Sequence, residues 1–158
     1  SWYDEDSMYG LIYHELGHIY HKQYGAFEQE GRNQSQNFIW QLFTEGIAMY
    51  FEQLLMNDLS YYHQNKDGWK NWCDAHFQQI LIDFQADLPV MNRFNQRYFG
   101  DWVDYCGRAD VGYYLGARFV QDLCSRYDFG QLIRLEIEEV TREFFRFAEE
   151  NHACDDNR

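Results

Sequence analysis

A mainly α-helical single domain is the fold class that three observations on this sequence predict. Apolar residues recur at helical spacing over most of the chain, alternating strand-like patterns are nearly absent, and 46% of the 158 residues are apolar, enough for one real core. Aromatics make up 20% of the chain, so that core is bulky. No internal repeat, low-complexity segment or linker divides the chain, and residues 1–158 are read as one domain.

The elements follow in order. A first helix is expected from about Asp6 to Tyr24, then a polar loop from Gly25 to Asn37 containing Gly31-Arg32-Asn33-Gln34-Ser35. From about Ser35 to Asn57, apolar residues at Phe38, Leu42, Met49 and at Ile39, Phe43, Ile47, Leu54 cover more than one face, which marks a helix buried on several sides. Tyr61 to Gly68 is a polar break. Trp69 to Phe84 is again periodic, and Leu88-Pro89 stops it, because proline disfavours a helical residue before it. Asn92 to Trp102 carries no decisive pattern. Val111 to Arg126 reads as a helix with Gly112 and Gly116 on one face, which points to a close helix crossing. Asp128 is the expected N-cap of a short helix from Phe129, and a last helix is expected from about Thr141. Beyond Asn151 the polar tail is expected to fray. Strand competes with helix only at Arg134 to Ile137, where apolar residues alternate briefly.

The chemistry is concentrated in His14-Glu15-Leu16-Gly17-His18. Histidines four apart lie on one helical face, so His14 and His18 can reach one Zn2+ ion at about 2.0–2.1 Å. Glu15, rotated roughly 100° from His14, can flank the ion and take a proton from bound water without being a ligand. Catalytic zinc uses three protein ligands and keeps one position open, so a third is needed. Glu45, in Thr44-Glu45-Gly46-Ile47-Ala48 on the next helix, is the candidate. A carboxylate buried there is costly unless paired or metal-bound, and Gly46 with Gly17 opposite would let the two backbones approach. His21 shares the face of His14 but lies about 10.5 Å along the axis, too far for a strain-free shared ion. It is expected to face solvent or to support a ligand, and His63, His76 and His152 are expected at the surface.

These motifs, with Gly112-Tyr113-Tyr114-Leu115-Gly116, resemble the gluzincin class of zinc peptidases over roughly residues 7 to 125. Within it they look most like poorly characterised predicted zinc-dependent proteases with an H-E-x-x-H, E-G-x-A, G-Y-x-x-G series. The gap from His18 to Glu45 is longer than in thermolysin-like enzymes. The resemblance implies metal ligands His14, His18 and Glu45, general base Glu15, and a tyrosine hydroxyl facing the metal. Tyr113 is the match by register, with Tyr114 left open. Thermolysin-like enzymes steady a zinc histidine with an aspartate four residues after the glutamate ligand, but Met49 stands there. Glu52, Asp104 or Asp110 are the candidates to replace it.

The resemblance also implies a strand-rich subdomain before the zinc helix. The expectation is therefore a helical core lacking that sheet, as a fragment of a longer chain, the alternative being a reduced form that binds substrate differently. The implied activity is hydrolysis of a peptide or protein substrate. Two other readings remain: a non-catalytic zinc-binding scaffold with a fourth protein ligand, or hydrolysis of a small amide or N-terminal residue anchored by Glu52, Asp104 or Asp110.

Composition limits the partners. A net charge of −13 without a basic patch argues against nucleic acid and anionic membranes. No segment is long and apolar enough to be a spanning helix. The start at Ser1-Trp2-Tyr3 shows no leader pattern, which favours the cytoplasm, although Cys73, Cys106, Cys124 and Cys154 are even in number and would permit two disulfides. Lacking C-x-x-C spacing, they read as free or buried thiols. Oligomeric state is not set by the sequence.

Overall fold

A computed structural model describes residues 4–100 and 103–153. Among the described residues seven helices carry the fold: α1 (Glu5–Tyr24), α2 (Gln34–Leu55), α3 (Trp69–Ala75), α4 (Phe77–Asp87), α5 (Val111–Leu123), α6 (Phe129–Leu132) and α7 (Ile137–Ala153). No strand occurs among the described residues, only an isolated bridge between Tyr105 and Arg108. The helical expectation therefore holds at the level of fold class. Trp102, in the patternless stretch, and the tail from Cys154 onward lie outside the described residues.

Local chemistry sets the boundaries of the first two helices. The Asp4 carboxylate accepts from the Ser7 amide at 2.7 Å to start α1, and Glu5 and Asp6 in the first turn complement the helix dipole. A reciprocal capping box between Asn33 and Gln36 starts α2, one residue before the expected Ser35. The apolar residues of α2 point to several sides because α2 is central, with α1, α5 and α7 packed around it. Leu54, read as part of that pattern, lies in the last turn of α2 with its side chain exposed.

Two expectations need correction. The helix expected over Trp69–Phe84 breaks at His76, whose φ of −115° and ψ of 14° separate α3 from α4. There the His76 ring stacks on Trp72 at 4.0 Å, and its Nδ1 donates to the Trp72 carbonyl at 2.7 Å. Arg134 to Ile137 is not strand. Leu135 and Ile137 are both buried because a turn after α6 points them inward, and α7 starts at Ile137, earlier than Thr141, with the Glu139 carboxylate accepting the Glu136 amide.

Glycines set the closest helix contacts, though not in the expected pairs. Gly17 of α1 faces Ala48 and Phe51, whereas Gly46 faces Gly116 of α5: a Cβ on Gly46 would lie 2.3 Å from the Gly116 carbonyl oxygen. A Cβ on Gly116 would lie 2.5 Å from the Leu42 carbonyl oxygen. Backbone cannot yield as a flexible side chain can, so Gly116→Ala is expected to cost about 3 kcal/mol, the upper end for overpacking. Urea denaturation measures this, and a loss below about 1 kcal/mol would mean that the crossing has slack.

The outer side of α1 is less covered. Met8, Ile12, Leu16 and Ile19 are all more than 40% exposed, while Gly10, His14, Gly17 and His21 form its buried stripe. No helix among the described residues is long and apolar enough to cross a membrane.

Candidate metal centre

α1 and α2 lie side by side, and their contact brings together the three ligands expected from sequence. His14 Nε2 and His18 Nε2 lie 2.9 and 3.0 Å from the same Glu45 oxygen, Oε2. Ligand atoms of the three side chains all fall within 4.8 Å of one another. A tetrahedral zinc ion holds its ligand atoms roughly 3.3 Å apart, so each histidine–Glu45 pair needs only a few tenths of an ångström of expansion. The donor set, two imidazoles and a carboxylate, is one that zinc takes in catalytic sites.

Electrostatics fit a cation at this point. Burial alone would lower the His14 pKa, but hydrogen bonds to Glu45 and Glu52 on its two ring nitrogens outweigh it and raise it to about 9. For Glu45, burial pushes upward, yet the two histidines bring it down to about 2. Without metal, His14 thus carries positive charge beside the Glu45 carboxylate. His14 and Glu52 are buried, whereas the His18 and Glu45 side chains are 17% and 18% exposed, so the cluster is accessible from one side.

The remaining candidates divide. Glu15 is exposed on α1, next in sequence to His14 and outside the ligand group. The Tyr113 ring packs 5.8 Å from His14 and 5.3 Å from Phe99. Tyr114, one residue on and about 100° around the helix, points elsewhere: it is buried beside Tyr62 and Trp69, and its hydroxyl donates to Asp74 at 2.7 Å. Of the two tyrosines, Tyr113 is brought to the cluster and Tyr114 is not. Asp104 accepts the Gly107 amide in an exposed turn, and Asp110 accepts the Gly100 amide ahead of α5; neither belongs to the cluster. Glu52 does, accepting from His14 Nδ1 at 3.1 Å.

Sequence reasoning missed His63. Instead of facing solvent, it donates from Nδ1 to both Glu52 oxygens, at 2.8 and 3.0 Å. No periodicity marks it, because it sits on the return of an irregular loop. Its only sequence signal is placement soon after Glu52, where a short turn can fold back on α2.

His21 also departs from expectation. It is fully buried among Phe27, Trp40 and Phe43, and neither ring nitrogen meets hydrogen-bond geometry among the described residues. Burial lowers its pKa to about 4, the nearby His18 adds to the effect, and the Ile133 carbonyl only partly opposes it. The unfolded chain then binds more protons than the folded one between its ordinary 6.5 and about 4. Stability from this residue is full above the upper value and falls with pH to the lower one, by about 3 kcal/mol in all. Urea midpoints from pH 7 to 4 should show this fall, and His21→Leu should flatten it; an equal fall in the variant would assign acid sensitivity to other groups.

Cys73, Cys106 and Cys124 are free thiols, in line with the absence of paired spacing, and Cys154 lies outside the described residues. Comparison with protein-family models, curated proteins and solved structures found no match.

Proposed function

We propose that this chain is a zinc-dependent, gluzincin-type metallopeptidase that hydrolyses peptide bonds in a peptide or protein substrate. The convergence of His14, His18 and Glu45 from two helices onto one point carries the reading. Zinc, when held there, lowers the pKa of bound water and polarises a scissile carbonyl.

The chain's own residues supply the rest. Glu15 accepts the proton lost from water and returns it to the leaving amine, which its position next to a ligand but outside the ligand set allows. Tyr113, whose ring packs 5.8 Å from His14, would donate a hydrogen bond to the oxygen that gains negative charge. Glu52 holds His14 with Nδ1 protonated, which keeps Nε2 available as a ligand. A closed structural site is the competing reading, and it needs a fourth protein ligand. No fourth His, Cys, Asp or Glu joins the three among the described residues, and the partial exposure of His18 and Glu45 suits an open position.

The test is metal content followed by turnover. Purified chain should hold one zinc per molecule and cleave members of a fluorogenic peptide library, with activity removed by chelator and restored by zinc. Zinc absent at saturating supply would end the proposal. Stoichiometric zinc with no cleavage of any peptide would favour the scaffold reading.

A further inference from the structure

We propose that His63 is a positioning residue of the metal centre: it holds the Glu52 carboxylate, which in turn fixes the tautomer and ring plane of the ligand His14. The inference rests on the metal-centre reading above and extends it to a loop residue outside both ligand helices.

Glu52 is fully buried, and an ionised carboxylate in that setting needs donors on its lone pairs. His14 Nδ1 supplies one at 3.1 Å. His63 supplies the others, from Nδ1 to both oxygens and from its backbone amide to Oε2 at 3.3 Å. His63 is itself held in place. Tyr61, two residues before it, donates its hydroxyl to the Asp6 carbonyl of α1 at 2.6 Å, and its carbonyl accepts the Gln53 amide of α2 at 2.9 Å. Gly10 makes room for this loop: a Cβ there would lie 2.6 Å from the Tyr61 ring and 2.9 Å from the His63 Cβ. The loop is thus clamped to both ligand helices, and His63 reports their spacing to Glu52.

His14, Glu52 and His63 also form a second group whose ligand atoms lie within 4.8 Å. A second cation there would bind His14 through Nδ1 while Nε2 served the first. One imidazole would then have to give up both ring protons, whereas a relay needs only the neutral tautomer that a metal-bound histidine adopts.

Zinc affinity is measured by competition with a chromophoric chelator, and cobalt(II) replaces zinc to report ligand geometry through its visible bands. His63→Ala should weaken zinc binding 10- to 100-fold, roughly the range for lost support of a ligand, and shift the cobalt bands. His63→Asn, which keeps an N–H donor near the Nδ1 position, should recover most of both. In a Glu52→Gln background, His63→Ala should weaken zinc much less than it does alone, since the two act in series. With zinc bound, long-range 1H–15N spectra of the wild type should show His63 protonated at Nδ1, a reading that holds even if His63→Ala does not fold.

Stoichiometric zinc with unchanged affinity and cobalt bands in His63→Ala overturns this proposal alone. So does a second zinc per chain, or an Nε2–H tautomer at His63. A wild type that takes up no zinc overturns the metal-centre reading and this proposal with it.

Discussion

Zinc should leave the protein when Glu45 becomes alanine. Structural zinc sites bind with about 10–16 kcal/mol over four ligands, so one protein ligand is worth about 2.5–4 kcal/mol, or on the order of 10² to 10³-fold in affinity. Among the described residues no other carboxylate joins His14 and His18: Glu52 is engaged by His14 Nδ1 and His63, and its oxygens lie on the other side of the His14 ring from Glu45. Metal analysis after dialysis against a weak chelator reads the result. Retention of stoichiometric zinc by Glu45→Ala would show that the third ligand is another group and that the α1–α2 pair does not define the site.

Glu15→Gln should behave in the opposite way, keeping zinc and losing turnover. The amide matches the carboxylate in size but cannot take a proton, and removing a positioned general base costs about 10² to 10⁴-fold in rate. Glu15 is exposed and outside the ligand group, so neither metal content nor fold should change. Comparing kcat for Glu15→Gln and wild type on any peptide found to be cleaved checks this. An unchanged kcat would move the proton transfer to another group. Loss of zinc in the same variant would mean that Glu15 supports the ligands, not the reaction.

What could be read in the sequence follows from which interactions are local. His14 and His18 are spaced by the helix itself, so their common direction was legible from four residues of separation, and the central place of α2 was legible from apolar residues on several of its faces. The pairing of Gly46 was not, because a glycine advertises a close approach without naming the partner; tertiary packing chose Gly116 over Gly17. The tyrosines illustrate the same limit. Adjacent residues on a helix differ by about 100°, and only the packing of α5 on α2 decides that Tyr113 turns to His14 while Tyr114 enters the aromatic core. His63 and His21 escaped in opposite directions. One looked like loop surface and is bonded to a buried carboxylate, and the other sat on a helix rich in polar residues and is enclosed by three aromatic rings.

Glu45 and Gly46 are consecutive, so the carboxylate that faces α1 and the backbone pressed on α5 belong to one rigid pair of residues. The crossing at Gly116 works as a gauge block: it sets how far α5, and Tyr113 upon it, stands from the two imidazoles. Repairs elsewhere in the core could restore the stability lost by widening that gap without restoring the gap itself. Stability and the geometry of the cluster are therefore separable quantities in this fold, and a variant that melts like the parent can still hold His14, His18, Glu45 and Tyr113 at the wrong distance.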